Sequence, residues 1–287
     1  MKHLHEHQKG LLAVFAAGLL WSTGGIFIKL VPFNPYQISF FRSIFAAIVF
    51  IIIFKKEIIY ANVFTFINAI LYAAILILFV IATKTTTAAN AIFLQYTAPI
   101  YVLVFEPLIN KTKYEKINII TIAACFIGMI MFFVGKISPG YMLGNFLALL
   151  SGVAFAAFLL GMRKNKLEYQ FSSIFYGNIL VSIISLNSIF SISNFTFTNF
   201  LMVFYLGVFQ IGIAYAIFSY GLKRVYAIEA SLISMIEPVL NPVWVFLGYG
   251  EVPSFMAIIG GIIIVTAISI RAFVFESPAM KQKLRSN

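Results

Sequence analysis

Ten apolar runs constrain the fold of this chain more than any other feature of its sequence. An α-helix of about 20 apolar residues crosses the hydrocarbon core of a bilayer. The runs that meet this length, or come close to it, are 10–30, 37–54, 63–83, 87–105, 117–134, 142–162, 172–190, 199–219, 230–247 and 254–270. Only 10% of the 287 residues are charged, compared with about 25% in soluble domains. The sequence therefore predicts an all-α membrane protein with ten transmembrane helices.

The basic residues predict the orientation of these helices. With the amino terminus inside the cell, sixteen of the twenty Lys and Arg residues fall on the cytoplasmic side: Lys2, Lys9, Lys55, Lys56, Lys111, Lys113, Lys116, Arg163, Lys164, Lys166, Lys223, Arg224, Arg271, Lys281, Lys283 and Arg285. Three reach the outside, namely Lys29, Lys84 and Lys136, and Arg42 lies within the second run. This excess follows the positive-inside rule. We expect the cell membrane as location, with cytoplasmic tails at 1–9 and 271–287. The scattered basic residues give no reason to expect a nucleic-acid partner.

A weak internal repeat divides the chain into two halves. The matched pairs are Pro99 with Pro238, Lys84 with Lys223, Ala88 with Ala227, Gly18 with Gly152 and Lys29 with Arg163. They predict one repeat over 10–134 and a second over 142–270. Because each half holds five spans, the second half enters the membrane from the opposite side. Inverted repeats of this kind are a transporter architecture, with substrate sites near the middle of the membrane.

The ninth run contains residues that are costly inside a bilayer. It reads Ile-Glu-Pro-Val-Leu-Asn-Pro-Val-Trp over 236–244. At 100° per residue, Glu237, Asn241 and Trp244 share a sector of about 80° with Ser234. Ionisable groups at membrane depth usually face the bundle interior or a watery cavity. One interpretation is a proline kink whose polar groups hold neighbouring helices together, and the other is a transport pathway.

Polar and aromatic residues inside other runs are further candidates for such a pathway. The predicted substrate-binding residues are Trp21, Arg42, Gln95, Tyr96, Tyr176, Gln210, Tyr215, Ser234, Glu237, Asn241 and Trp244. Arg42 can bind a substrate carboxylate with two parallel hydrogen bonds, or it can pair with Glu237. The Gly24-Gly25 pair can serve either close helix packing or a hinge.

Several motifs resemble those of the drug/metabolite transporter superfamily, specifically its ten-helix EamA-type family. They are Trp21-Ser22-Thr23-Gly24-Gly25 followed by Lys29, Pro35 followed by Arg42, and Glu237-Pro238 followed by Gly250-Glu251. The resemblance in the order and spacing of these motifs extends over residues 10–270. The first half departs from the pattern, because Pro99 follows Tyr96-Thr97-Ala98 with no Glu before it. The resemblance implies a fold of ten helices and transport of small solutes.

These observations favour a secondary active transporter that moves a small organic solute, amino-acid-like or a similar metabolite, by alternating access. The expected partners are that solute and the lipid bilayer, with protons as a candidate coupling ion. One alternative is a broad exporter of drugs, toxic metabolites or organic cations. Another is a membrane sensor that binds a ligand without moving it. The sequence contains no constellation typical of an enzyme, and we expect no cofactor and no metal.

Overall fold

A computed structural model of the chain describes residues 2–110, 116–131, 139–165, 169–193, 195–222, 224, 233–234 and 236–276. Parts of the predicted segments lie outside these residues, including 132–134 of the first half, 230–232 of the ninth run and 277–287 of the second tail. Within the described ranges the regular structure is entirely helical. The α-helices are α1 (Lys2–Ser22), α2 (Gly24–Leu30), α3 (Pro35–Phe54), α4 (Val63–Thr85), α5 (Ala88–Gln95), α6 (Ala98–Asn110), α7 (Lys116–Met131), α8 (Pro139–Lys164), α9 (Gln170–Ser185), α10 (Phe197–Tyr205), α11 (Ala214–Leu222), α12 (Ile236–Tyr249) and α13 (Phe255–Glu276).

Six helical segments of the described chain are long and apolar enough to cross a membrane. They are Glu6–Leu30, Pro35–Ile58, Val63–Thr85, Tyr141–Met162, Gln170–Ser191 and Phe197–Gly221. Two shorter apolar helices, Ile119–Met131 and Phe255–Arg271, coincide with the fifth and tenth predicted runs. The fourth run is divided between α5 and α6, and the ninth is represented by α12.

Side chains at the helix starts explain several boundaries. The Asn34 side chain accepts a hydrogen bond from the backbone N–H of Gln37, and the backbone N–H of Asn34 donates to the Gln37 side chain in return. Pro35 occupies the first helical position. Asn62 and Thr65 form the same reciprocal arrangement before α4. A capping box of this kind satisfies backbone donors that have no partner within the helix. The starts of α3 and α4 are therefore encoded by residues adjacent in the sequence.

Within the described residues, three of the predicted runs are interrupted or widened between two α-helices. The first is interrupted at Thr23, between α1 and α2, and the fourth at Tyr96 and Thr97, between α5 and α6. The eighth contains a π-helix, Leu206–Ile213, between α10 and α11. Irregular backbone at membrane depth is tolerated where it is buried in protein or lines a cavity. All three irregular segments contribute to the site described below.

The packing mixes the two predicted halves. Helix α4 packs against α8 and α9, α3 packs against α9 and the π-helix, and α1 packs against α11 and α12. Large apolar side chains such as Leu12, Ile52 and Val63 are 65–73% exposed. Polar side chains lie inside instead, including Arg42 and Asn241. A soluble monomer rarely exposes so much apolar surface, whereas this arrangement suits a helical bundle surrounded by lipid.

Candidate substrate site

Arg42 is held inside the bundle by Gln210. Its side chain is only 3% exposed, and its Nε and Nη2 atoms donate to Gln210 Oε1 at 3.0 and 2.7 Å. The Gln210 amide nitrogen donates in turn to the backbone carbonyl of Trp21 at 3.3 Å. Gly24 leaves room for this amide, because a methyl group there would lie 2.8 Å from Gln210 Nε2. One glutamine from the π-helix therefore fixes the guanidinium beside the break in the first span.

The remaining nitrogen of the guanidinium is not used by the described part of the chain. Arg42 Nη1 is buried and has no hydrogen-bond partner there. Glu237 is close enough to interact electrostatically with Arg42. However, its carboxylate accepts a hydrogen bond from the Tyr96 hydroxyl at 2.5 Å. The described contacts include no direct ion pair between Arg42 and Glu237, so the two charges lie near each other with different partners.

The polar face of α12 packs against the first span. Trp244 Nε1 donates to Ser22 Oγ at 3.0 Å. The Asn241 amide touches Gly25, and neither of its polar atoms has a hydrogen-bond partner among the described residues. Earlier on the same face, the Ser234 backbone lies next to Gly18. The Gly24-Gly25 pair therefore provides close packing at a helix break, where a larger residue would meet Gln210 or Asn241.

Aromatic rings form one wall of the same region. Trp21 packs edge-on against Tyr215 with a centroid distance of 5.1 Å and tilts against Phe218 at 5.0 Å. Tyr215 also contacts Tyr72 at 6.0 Å. The indole nitrogen of Trp21 is buried without a partner in the described structure. This wall presents ring faces and one unused donor.

Two of the predicted site residues have partners elsewhere. Gln95 donates from Nε2 to Ser151 Oγ at 2.7 Å, so its side chain ties α5 to α8. Tyr176 packs on Phe66 and Phe175, and Phe66 is an exposed residue on the surface of the bundle. The structure brings the other nine predicted residues to the first span, its break and the helices around it.

Tyr205 lies at the same site but is not among the residues predicted from the sequence. Its hydroxyl lies 3.1 Å from Thr23 Oγ1, at the break in the first span, and its ring packs on Phe27 at 4.5 Å. In a regular α-helix, residues five apart point about 140° away from each other, so Tyr205 and Gln210 were not expected on one face. The π-helix that starts after Tyr205 widens this turn, and such segments are frequent at functional sites. No local signal in the sequence predicts it.

A buried polar site inside helices with apolar outer surfaces defines a multi-pass membrane protein. The chain belongs to the EamA-like transporter family, whose model matches residues 8–134 and, separately, residues 142–272. This family is part of the drug/metabolite transporter superfamily, as the motifs of the sequence indicated.

Two individual proteins are similar over most of their length. An "uncharacterized transporter" of Archaeoglobus fulgidus is 24% identical over 271 residues, which cover 91% of this chain and 95% of that protein. A solved crystal structure superposes with a TM-score of 0.66 at 17% identity, covering 95% of this chain and 99% of the other. At that identity the superposition supports the fold alone.

Proposed function

We propose that the protein is a secondary active transporter for a small organic solute that carries a carboxylate, amino-acid-like or a metabolite of similar size. The observation that carries this proposal is the buried guanidinium of Arg42 with Nη1 unpaired in the described structure. Buried polar atoms in proteins nearly always have hydrogen-bond partners, so an exception calls for an explanation. A bound carboxylate would accept from Nη1, and Gln210 already holds the other side of the guanidinium in place.

The other groups near Arg42 suit the rest of such a solute. Glu237 provides a negative charge for an ammonium group or a carrier for a coupling proton. The Asn241 amide and Trp21 Nε1 provide neutral hydrogen bonds, since the described residues leave both unpaired. The rings of Trp21 and Tyr215 provide apolar surface. Small-molecule sites typically combine such a lining with a few well-placed polar groups.

The proposed mechanism is alternating access between two inverted five-helix halves, 10–134 and 142–270. Ten spans, two cytoplasmic tails and a location in the cell membrane belong to the same proposal. The two separate matches of one family model support the division into halves. The breaks at Thr23 and Tyr96 support a site at the middle of the membrane, because discontinuous helices form substrate sites in many transporters.

A thermal-shift screen of the purified protein tests the substrate class. Amino acids, nucleosides, quaternary amines and cationic drugs should be compared, since a ligand that binds the folded state raises its apparent stability. We expect carboxylate-bearing solutes to shift the wild type, and Arg42→Met to abolish this shift. Arg224→Met is the matched control, because Arg224 also contacts a carboxylate and an aromatic ring but lies at the end of the bundle. Equal shifts in wild type and Arg42→Met would contradict the proposal.

Counterflow of the labelled solute in proteoliposomes separates a transporter from a membrane sensor. A transporter exchanges unlabelled solute loaded inside the vesicles for labelled solute outside, so label accumulates inside. A sensor binds the labelled solute without translocating it. The aromatic wall favours one second candidate, an exporter of organic cations or drugs. Cation–π contacts with Trp or Tyr are worth roughly 0.5–2 kcal/mol. For that function Trp21→Leu should weaken binding more than Arg42→Met does.

A further inference from the structure

A second polar cluster lies at the far end of the first span and joins the two predicted halves. Lys29 Nζ forms an ion pair with Glu251 Oε2 at 2.7 Å, and the two side chains are only 9% and 16% exposed. Lys29 also donates to the Thr86 carbonyl oxygen at 2.7 Å. The other carboxylate oxygen of Glu251 accepts from the Ala88 backbone nitrogen at 2.6 Å. Lys29 therefore also binds the backbone of the connection between α4 and α5, and Glu251 binds the first backbone N–H of α5.

The same connection is tied to α8. Thr86 Oγ1 donates to Asn145 Oδ1 at 2.7 Å, and Asn90 Nδ2 donates to the same oxygen at 3.0 Å. Gly144 allows this approach, because a methyl group there would lie 2.7 Å from Thr86. Four parts of the chain thus meet at one end of the bundle: the end of α2, the connection between α4 and α5, the start of α8, and the connection between α12 and α13.

The cluster is coupled to the candidate substrate site through α5 and α12. Glu251 follows the end of α12 and contacts Ala88 at the start of α5. Glu237 lies in the first turn of α12 and contacts Tyr96, just beyond the end of α5. The two helices therefore run in opposite directions, and two carboxylates connect them at both ends. One connection lies in the substrate site and the other lies in the Lys29–Glu251 cluster.

We propose that Lys29, Thr86, Ala88, Asn145 and Glu251 form an outer latch that closes the substrate site toward the outside and opens during transport. This proposal rests on the transport function and orientation proposed above. Lys29 lies six residues after Thr23 in the same span, about 9 Å closer to the outer surface. With the latch closed, these side chains block the outer path along the first span. The structure described here is then the state that is closed to the outside.

An ion pair is well suited to a contact that must open and close. Burying two charges costs hydration, and their mutual attraction repays roughly that cost when the geometry is good. When the latch opens toward water, Lys29 and Glu251 regain their hydration. The closed and open states can then have similar free energies, as a transport cycle requires. Lys29 and Glu251 are also the terminal charged residues of two motifs in the sequence, and the substrate site itself uses neither.

Labelling of a single cysteine tests the latch without any substrate. The reporter is Thr23→Cys in a Cys125→Ser background, treated from outside with an impermeant thiol reagent. Lys29→Met and Glu251→Gln should each raise the labelling rate at least tenfold. The double variant should label no faster than about twice the faster single variant, because both changes open one contact. Lys29→Arg should stay near the parent rate, since it keeps the charge.

Two comparisons control for general loosening of the fold. Glu251→Gln keeps an oxygen that can accept from Ala88, so it removes the ion pair with little change to the cap of α5. Lys9→Met removes the exposed Lys9–Glu6 pair of the same span and should leave labelling unchanged. Unchanged labelling in both latch variants, a rise only from the cytoplasmic side, or an equal rise in Lys9→Met would overturn the latch. If labelling rises while counterflow fails for every solute, the contact closes the site toward the outside but the proposed transport function is contradicted. The two failures are therefore distinguishable.

Discussion

The closest packing in the substrate site predicts a large effect for Gly25→Ala. A methyl group on Gly25 would overlap the oxygen, nitrogen and carbon of the Asn241 amide. Asn241 is 1% exposed, so its side chain can give way to the methyl group only by shifting inside the bundle. Overpacking a buried site typically costs about 1–3 kcal/mol. For a chain of this size each kcal/mol lowers the unfolding temperature by about 2–4 °C, so we expect a decrease of roughly 2–12 °C.

Thermal unfolding in detergent, followed by fluorescence-detected size exclusion at one heating protocol, measures this change. Asn241→Ala provides the matched background, because it removes the amide that the new methyl group would meet. In that background Gly25→Ala should cost no more than about 0.5 kcal/mol, since the two residues are coupled through a single contact. Equal losses of stability in the two backgrounds would refute this account of the Gly24-Gly25 pair. The pair would then act through the helix break rather than through packing.

Three further predictions concern topology, coupling and the position of the guanidinium. Pro32 lies on the exposed connection after the first span. In a Cys125→Ser background, Pro32→Cys should react with an impermeant thiol reagent added from outside, and reaction only after permeabilisation would reverse the predicted orientation. Glu237→Gln should abolish proton-driven transport without loss of expression, and Tyr96→Phe should reduce the transport rate by less; uptake under an imposed pH gradient measures both. Wild-type rates in Glu237→Gln would show that this carboxylate has no part in proton coupling. Gln210→Glu should pair with the guanidinium and lower the affinity for carboxylate-bearing solutes at least tenfold in thermal-shift titrations. An unchanged affinity would contradict a role for the guanidinium in binding the carboxylate.

Hydropathy and local signals determined much of the architecture from the sequence. Apolar runs predict where helices lie because each buried backbone group must be satisfied within its own segment in lipid. Six of the runs correspond to long apolar helical segments, and two more to shorter ones. The polar face of the ninth run was also predictable, because the helical period alone places Asn241 and Trp244 together. In the structure both side chains contact the first span, which the sequence did not predict.

Partners distant in the sequence could not be predicted in this way. Arg42 donates hydrogen bonds to Gln210 and forms no ion pair with Glu237 in the described structure. Gln95 is hydrogen-bonded to Ser151, and Tyr205 to Thr23. Each of these contacts depends on how helices cross and on where a helix is interrupted or widened. Hydropathy reflects the free energy of transferring each residue from water into lipid, and it contains no information on which helices become neighbours.

The same division applies to the charged residues. The sequence alone determined that Lys29 lies at the end of one apolar run and that Glu251 follows another. It also determined that Arg42 and Glu237 lie within such runs at a cost in free energy. Only the tertiary structure decided that Lys29 pairs with Glu251 at 2.7 Å while Arg42 and Glu237 bind separate polar neighbours. A buried ion pair such as this one requires that packing bring two side chains within reach and keep most of the surrounding water away from them. That condition depends on the positions of several helices at once, and no single segment of the sequence specifies it.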